Sequence, residues 1–96
     1  MQNENVLSIK EKISPALRRY GVIKAAIFGS LARGESGYGS DIDILVQFEG
    51  SKSLLDLAGL KIELEELLGR KVDVITYNSL HHLIRGRILA EQEAIL

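Results

Sequence analysis

The amino-acid sequence predicts an α/β domain, with helices and short strands alternating around a small sheet. Three observations carry that expectation. Apolar residues recur at three- and four-residue steps over 6–20 and 53–68, as they do on partly buried helices. Three short apolar runs, at 24–28, 41–48 and 72–76, read as strands. Glycines stand at the joints between these segments, where the chain must turn.

The first helix rests on Val6, Ile9, Ile13, Ala16, Leu17 and Tyr20. Pro15 would ordinarily kink or restart it. The apolar phase runs through unbroken, so one element is expected, ended by Gly21. Lys24 to Phe28 is the first strand, Gly29 to Gly34 a tight turn, and Glu35 to Ser40 a loop. Asp41 to Phe48 is the second strand, closed by a turn at Glu49-Gly50-Ser51.

Ser53 to Leu68 is the second helix, stopped by Gly69. It carries two apolar stripes. Leu57, Leu60, Leu64, Leu67 and Leu68 form one, and Leu54, Leu55, Ala58 and Ile62 form the other, with Lys61 and Glu65 between them. One stripe must face the sheet. The second is expected to pack under the first helix; the alternative is a partner surface. Val72 to Thr76 is the third strand. Asn78 or Ser79 would cap a last helix bearing Leu80, Leu83, Ile84, Ile88 and Leu89, which Gly86 weakens and could break. Ala94-Ile95-Leu96 would add a short edge strand.

The chemistry concentrates between Gly29 and Asp43. A Gly29-Ser30 turn follows the first strand, and Asp41 and Asp43 open the second. Side chains two apart on a strand share a face, so the two carboxylates lie together while Ile42 and Ile44 point the other way. Neighbouring carboxylates repel, and a divalent cation relieves that repulsion; hard oxygen ligands suit magnesium. A Gly-Ser turn offers N–H groups and a hydroxyl to phosphate oxygens. Together these describe a site for a metal-bound nucleoside triphosphate. Asp73, flanked by Val72 and Val74, would bring a third carboxylate to the same point if its strand lies beside that of Asp41 and Asp43. Three carboxylates suit a pair of metal ions in an in-line displacement at phosphorus.

Other residues are more equivocal. Arg33 could grip phosphate oxygens, or pair structurally with Glu35 or a site carboxylate. Tyr38 could stack on a base or simply lie in an exposed loop. Arg85, Arg87, His81 and His82 read as solvated helix surface. The chain has 96 residues, enough for a single domain over 1–96, and a net charge of −1, which gives no broad attraction to nucleic acid or membrane. It has no cysteine, which excludes a disulfide scaffold or zinc–thiolate site. With no signal-peptide pattern and no membrane-length apolar run, a cytoplasmic location is the default.

Phe28-Gly29-Ser30-x-Ala32-Arg33-Gly34-Glu35, followed by Ser40-Asp41-Ile42-Asp43, resembles the signature of the DNA polymerase beta-like nucleotidyltransferases. It is most similar to their smallest branch, the minimal nucleotidyltransferases, known chiefly as antitoxins paired with HEPN-domain toxins. The likeness continues through Asp56-Leu57-Ala58-Gly59-Leu60, through Leu67-Leu68-Gly69-Arg70-Lys71-Val72-Asp73-Val74, and through Ile84-Arg85-x-Arg87-Ile88-Leu89. The resemblance implies a small mixed sheet bearing the carboxylates, with helices packed on one face. It implies that Asp41, Asp43 and Asp73 are the catalytic, metal-binding residues, holding two Mg2+ ions. Gly29, Ser30, Arg33 and Ser40 would contact the nucleotide. It further implies transfer of AMP from ATP to a tyrosine hydroxyl of a partner HEPN toxin, within a homo- or hetero-oligomer. Three other readings stay open, one of them a purely structural protein, which would not need convergent carboxylates. The domain could neutralise a toxin by contact alone, or transfer a nucleotide to a small molecule or an RNA end. Larger relatives bind such acceptors with an extra domain, for which this length leaves no room.

Overall fold

The computed structural model describes residues 6–29 and 41–96. Helix α1 (Val6–Arg19) leads into strand β1 (Val22–Phe28), and strand β2 (Ile42–Phe48) follows. Helix α2 (Leu54–Leu68), strand β3 (Val72–Thr76), helix α3 (His82–Glu91) and strand β4 (Glu93–Ala94) complete the order. The four strands form one sheet in the order β3-β2-β1-β4. β2 runs antiparallel to β1 and parallel to β3, so the sheet is mixed, as the resemblance implied.

Alternation along the strands divides the side chains between two faces. Ala25 and Ile27 on β1, Ile42, Ile44 and Val46 on β2, and Val72 on β3 point to one face. There they meet Ile9, Ile13, Ala16 and Leu17 of α1 and Leu60, Leu64 and Leu68 of α2. Each large side chain fully buried there contributes roughly 1.5–3 kcal/mol. The opposite face carries a smaller cluster of Phe28, Leu45 and Tyr77, against which Ile75, Leu80, Ile88 and Leu89 pack. Thus α1 and α2 lie behind the sheet, while α3 covers part of its front. The side chains of Leu83 and Ile84 lie outside the described set.

Local sequence explains the helix limits. α1 passes through Pro15 as one element. Glu11 and Pro15 both face solvent, so the carbonyl that Pro15 leaves without a helical N–H can bond to water. The buried Ser14 hydroxyl donates to the Lys10 carbonyl at 2.6 Å. α2 opens on a reciprocal cap: Ser53 Oγ accepts from the Asp56 N–H, and the Asp56 carboxylate accepts from the Ser53 N–H. It closes at Gly69, whose φ of 65° is a left-handed conformation that suits glycine.

Four expectations need correction. The second stripe of α2 does not pack under α1: Leu54 is 83 % exposed, Leu55 84 % and Ile62 56 %. The physical reason is that α1 meets α2 on another side, where Tyr20 lies over Gly59 and Arg19 pairs with Glu63. Asn78 and Ser79 do not cap α3. They belong to a tight 3-10 turn, Tyr77–Ser79, in which Tyr77 is buried and its hydroxyl donates to Gln92 Oε1 at 2.9 Å. Gly86 does not break α3. The expected edge strand at 94–96 is instead the shorter Glu93–Ala94, with Ala94 beside Ala26 of β1.

Candidate active site

The pairing of β2 with β3 brings the carboxylates together. In that parallel ladder Asp43 stands opposite Asp73, so the two share the front face on adjacent strands. Asp41 lies just before β2, anchored where the Ile42 N–H donates to the Lys71 carbonyl at 3.0 Å. Two residues before Asp43, it belongs to the same face. Asp41 and Asp73 are exposed and Asp43 is half-buried. Phe28 stands opposite Asp43 across the β1–β2 ladder, and the chain leaves β1 at Gly29. Gly29 has a φ of 78°, and a Cβ built on it would lie 2.4 Å from Asp43 Oδ2. Gly29 therefore lies directly against the carboxylate.

The carboxylates lie side by side instead of meeting at one point. Among the described residues no three His, Asp or Glu side chains are gathered closely enough to hold an ion unaided. The donor chemistry is all oxygen, which suits a hard cation that keeps water or takes phosphate oxygens for its remaining ligands. Ser30, Arg33, Tyr38 and Ser40 lie outside the described residues.

A charged pair that the sequence reading passed over flanks the site. Lys61 Nζ lies 2.7 Å from Glu65 Oε2, one turn apart on α2. The same oxygen accepts the Val72 N–H at 3.0 Å. Glu65 is pulled below its ordinary value, first by the Lys61 hydrogen bond and then by the Val72 N–H. The Lys61 ammonium is pushed up, first by Glu65; the charges of Asp73 and Asp41 add to this. The available signal was the i, i+4 spacing of Lys61 and Glu65 between the two stripes.

The remaining polar candidates do structural work. Arg85 donates to the Tyr77 carbonyl at 2.6 Å, and Arg87 pairs with Glu91 at 3.5 Å. His81 and His82 stack on each other at the surface. Lys24 places its ammonium 4.7 Å from the centre of the Tyr77 ring. A cleft of about 410 Å³ opens at the far end of β2 and β3, lined in part by Phe48, Lys52, Leu57 and Asn78. It is separate from the carboxylates, which sit where those strands begin. No helix among the described residues is long and apolar enough to cross a membrane.

Comparison with known proteins agrees with this fold. Residues 10–95 match the nucleotidyltransferase domain family. A candidate protein adenylyltransferase of Methanocaldococcus jannaschii is 58 % identical over 92 residues, covering 96 % of this chain and 99 % of its own. The protein adenylyltransferase MntA of Thermococcus cleftensis is 43 % identical over 89 residues, covering 92 % and 90 %. The solved structure of a candidate minimal nucleotidyltransferase superposes with a TM-score of 0.81 at 35 % identity, covering 97 % of this chain and 98 % of that one. A toxin–antitoxin complex with AMP-PNP shares the fold at a TM-score of 0.80 and 22 % identity, over 91 % of this chain and 72 % of that one. With the family matched along nearly its whole length and carboxylates in register on the expected strands, the chain belongs to the nucleotidyltransferase domain family, among the minimal nucleotidyltransferases.

Proposed function

We propose that this protein is a magnesium-dependent adenylyltransferase that moves AMP from ATP to a tyrosine hydroxyl of a HEPN-type toxin, and so acts as its antitoxin. The observation that carries the chemistry is the register of Asp43 against Asp73, with Asp41 on the same face and Gly29 against Asp43. The adenylyltransferase names of the archaeal relatives support AMP as the transferred group. A fold neighbour from Shewanella oneidensis, 20 % identical, is an antitoxin bound to a tri-AMPylated HEPN toxin, which sets the partner class to test.

In this reading Asp41, Asp43 and Asp73 would hold magnesium, two ions in all, together with triphosphate oxygens. Bound there, magnesium would offset the charge of the triphosphate and make the acceptor hydroxyl more acidic. The chain's own residues would do the rest. Gly29 lets the backbone approach the phosphates, and Ser30 would add its hydroxyl. The acceptor oxygen bonds to the α-phosphorus, and the bond from that phosphorus to the β-phosphate bridging oxygen breaks. Pyrophosphate leaves with that electron pair. The acceptor's proton passes to a carboxylate; Asp73, exposed at the edge of the sheet, is the group proposed to take it. Arg33 and Ser40 would add contacts to the nucleotide. An ATP donor is consistent with the cytoplasmic location expected from the sequence.

Intact-mass analysis tests the proposal. The purified protein is incubated with a HEPN-type toxin, ATP and magnesium. Additions of AMP on the partner, located to tyrosine by fragmentation, are expected. An unmodified partner alongside efficient labelling of an RNA or a metabolite would overturn the assignment.

A further inference from the structure

We infer that Glu65 is a positioning residue for Asp73. Its carboxylate pins the edge strand β3 one residue before Asp73, and Lys61 holds that carboxylate in place. The inference rests on the reading of Asp73 as a carboxylate of the metal site.

Among the described residues β3 is an edge strand, with β2 on one side and no strand on the other. The Lys71 carbonyl accepts from Ile42, so Lys71 turns its backbone groups toward β2. Backbone groups alternate in direction along a strand, so the Val72 N–H points outward. An outward N–H on an edge is ordinarily left to water, and such edges open easily. Here it is taken by Glu65 Oε2 at 3.0 Å. Glu65 also supplies the second closure of this corner, because its backbone carbonyl accepts the Gly69 N–H at 2.8 Å. Glu65 thus bonds the turn from α2 into β3 at both Gly69 and Val72. The next residue after Val72 is Asp73, opposite Asp43.

Lys61 makes the anchor firm. Its ammonium donates to the same Oε2 at 2.7 Å, a charge-assisted bond within one helix. The ammonium also feels Asp73 and Asp41. Without Glu65 it would be released toward those carboxylates, where it would compete with a cation. Loss of Glu65 therefore acts twice: the strand edge loosens and a rival positive charge is freed.

Partners of this kind beyond the direct ligands typically cost roughly tenfold or more in metal affinity when removed. Binding of Mn2+ with a non-hydrolysable ATP analogue, followed by electron spin resonance below the melting range, reads this directly. Glu65→Ala should weaken Mn2+ binding about tenfold, lower kcat more than it raises KM for ATP, and speed exchange of the Val72 amide. Glu65→Gln, whose amide oxygen can still accept from Val72, should stay near the native protein in exchange and bind Mn2+ better than Glu65→Ala. Asp73→Asn serves as reference. If Asp73→Asn weakens Mn2+ binding and Glu65→Ala does not, the positioning role is overturned and the site reading stands. If neither variant changes Mn2+ binding, both fall. Should Glu65→Ala fail to fold, the native protein decides: a Val72 amide that exchanges as fast as the exposed Gly50–Lys52 turn overturns the anchor, and a protected one supports it.

Discussion

Gly29 and Asp43 touch across the end of the β1–β2 ladder, so that a side chain on Gly29 would collide with the Asp43 carboxylate at 2.4 Å. The contact ties the end of β1 to the carboxylate face. Gly29→Ala should displace Asp43 and also hold an alanine at a φ of 78°, a conformation that costs about 1–2 kcal/mol. AMP transfer should fall far more than that modest loss of stability accounts for. Thermal melts and a transfer assay on the same preparation check this, and a variant that is less stable yet fully active would show that the carboxylate has room to move.

Asp41→Asn combined with Asp43→Asn should remove transfer while keeping the fold, because neither side chain belongs to the buried core. Relief of repulsion between neighbouring carboxylates should leave the apo protein as stable as before or slightly more so. The native protein should gain stability from magnesium or manganese with ATP, by about 2.7 kcal/mol at a hundredfold excess over Kd. The double variant should show no such gain. Melting curves with and without ligands give both numbers, and a double variant that unfolds or keeps full activity contradicts the ligand assignment.

Acid should loosen the α2–β3 corner. Glu65 sits below its ordinary 4.5 because Lys61 and the Val72 N–H stabilise its charged form. Asp56 sits below 3.8 through the Ser53 N–H and hydroxyl. Both groups are depressed in the folded protein, so their contribution is present above the unfolded values and disappears as pH falls through the folded ones. The loss belongs below about pH 4.5, not near neutrality. Both carboxylates are solvated, so the effect is small. Chemical denaturation from pH 6 to 3 should show the slope, and Glu65→Gln should flatten it.

The pattern of the chain disclosed much of this architecture, for identifiable reasons. Val72–Thr76 was legible because β-branched residues crowd a short segment, and α2 because Ser53 and Gly69 mark its ends. That Asp43 faces Asp73 was only conditional, since strand order is a tertiary property that no local pattern encodes. α3 was misplaced at its start because Asn78 and Ser79 suit a cap and a 3-10 turn equally, and burial of Tyr77 decides between them. Glu65 was passed over because its partner is a backbone N–H in another element. Both stripes of α2 are apolar, so composition did not say where the second one would lie.

That choice leads to the last prediction, which concerns the partner. Leu64 is fully buried and Leu55 is 84 % exposed, although both lie on the same helix. Leu64→Ala should cost about 2–5 kcal/mol, the usual range for a core leucine. Leu55→Ser should change stability by less than about 0.5 kcal/mol, as surface substitutions do. Leu54, Leu55 and Ile62 nevertheless form an exposed apolar stripe on one helix. An adenylyltransferase acting on a folded protein needs a surface that places the acceptor hydroxyl in line with phosphorus, because small misplacements are costly. If this stripe is that surface, Leu54→Ser with Leu55→Ser should weaken binding to the toxin and raise KM for it, with the melting temperature and ATP binding unchanged. Isothermal titration against the toxin and transfer kinetics at varied toxin concentration separate these effects. Unchanged affinity and KM would remove the stripe from the docking surface while leaving the carboxylate site intact.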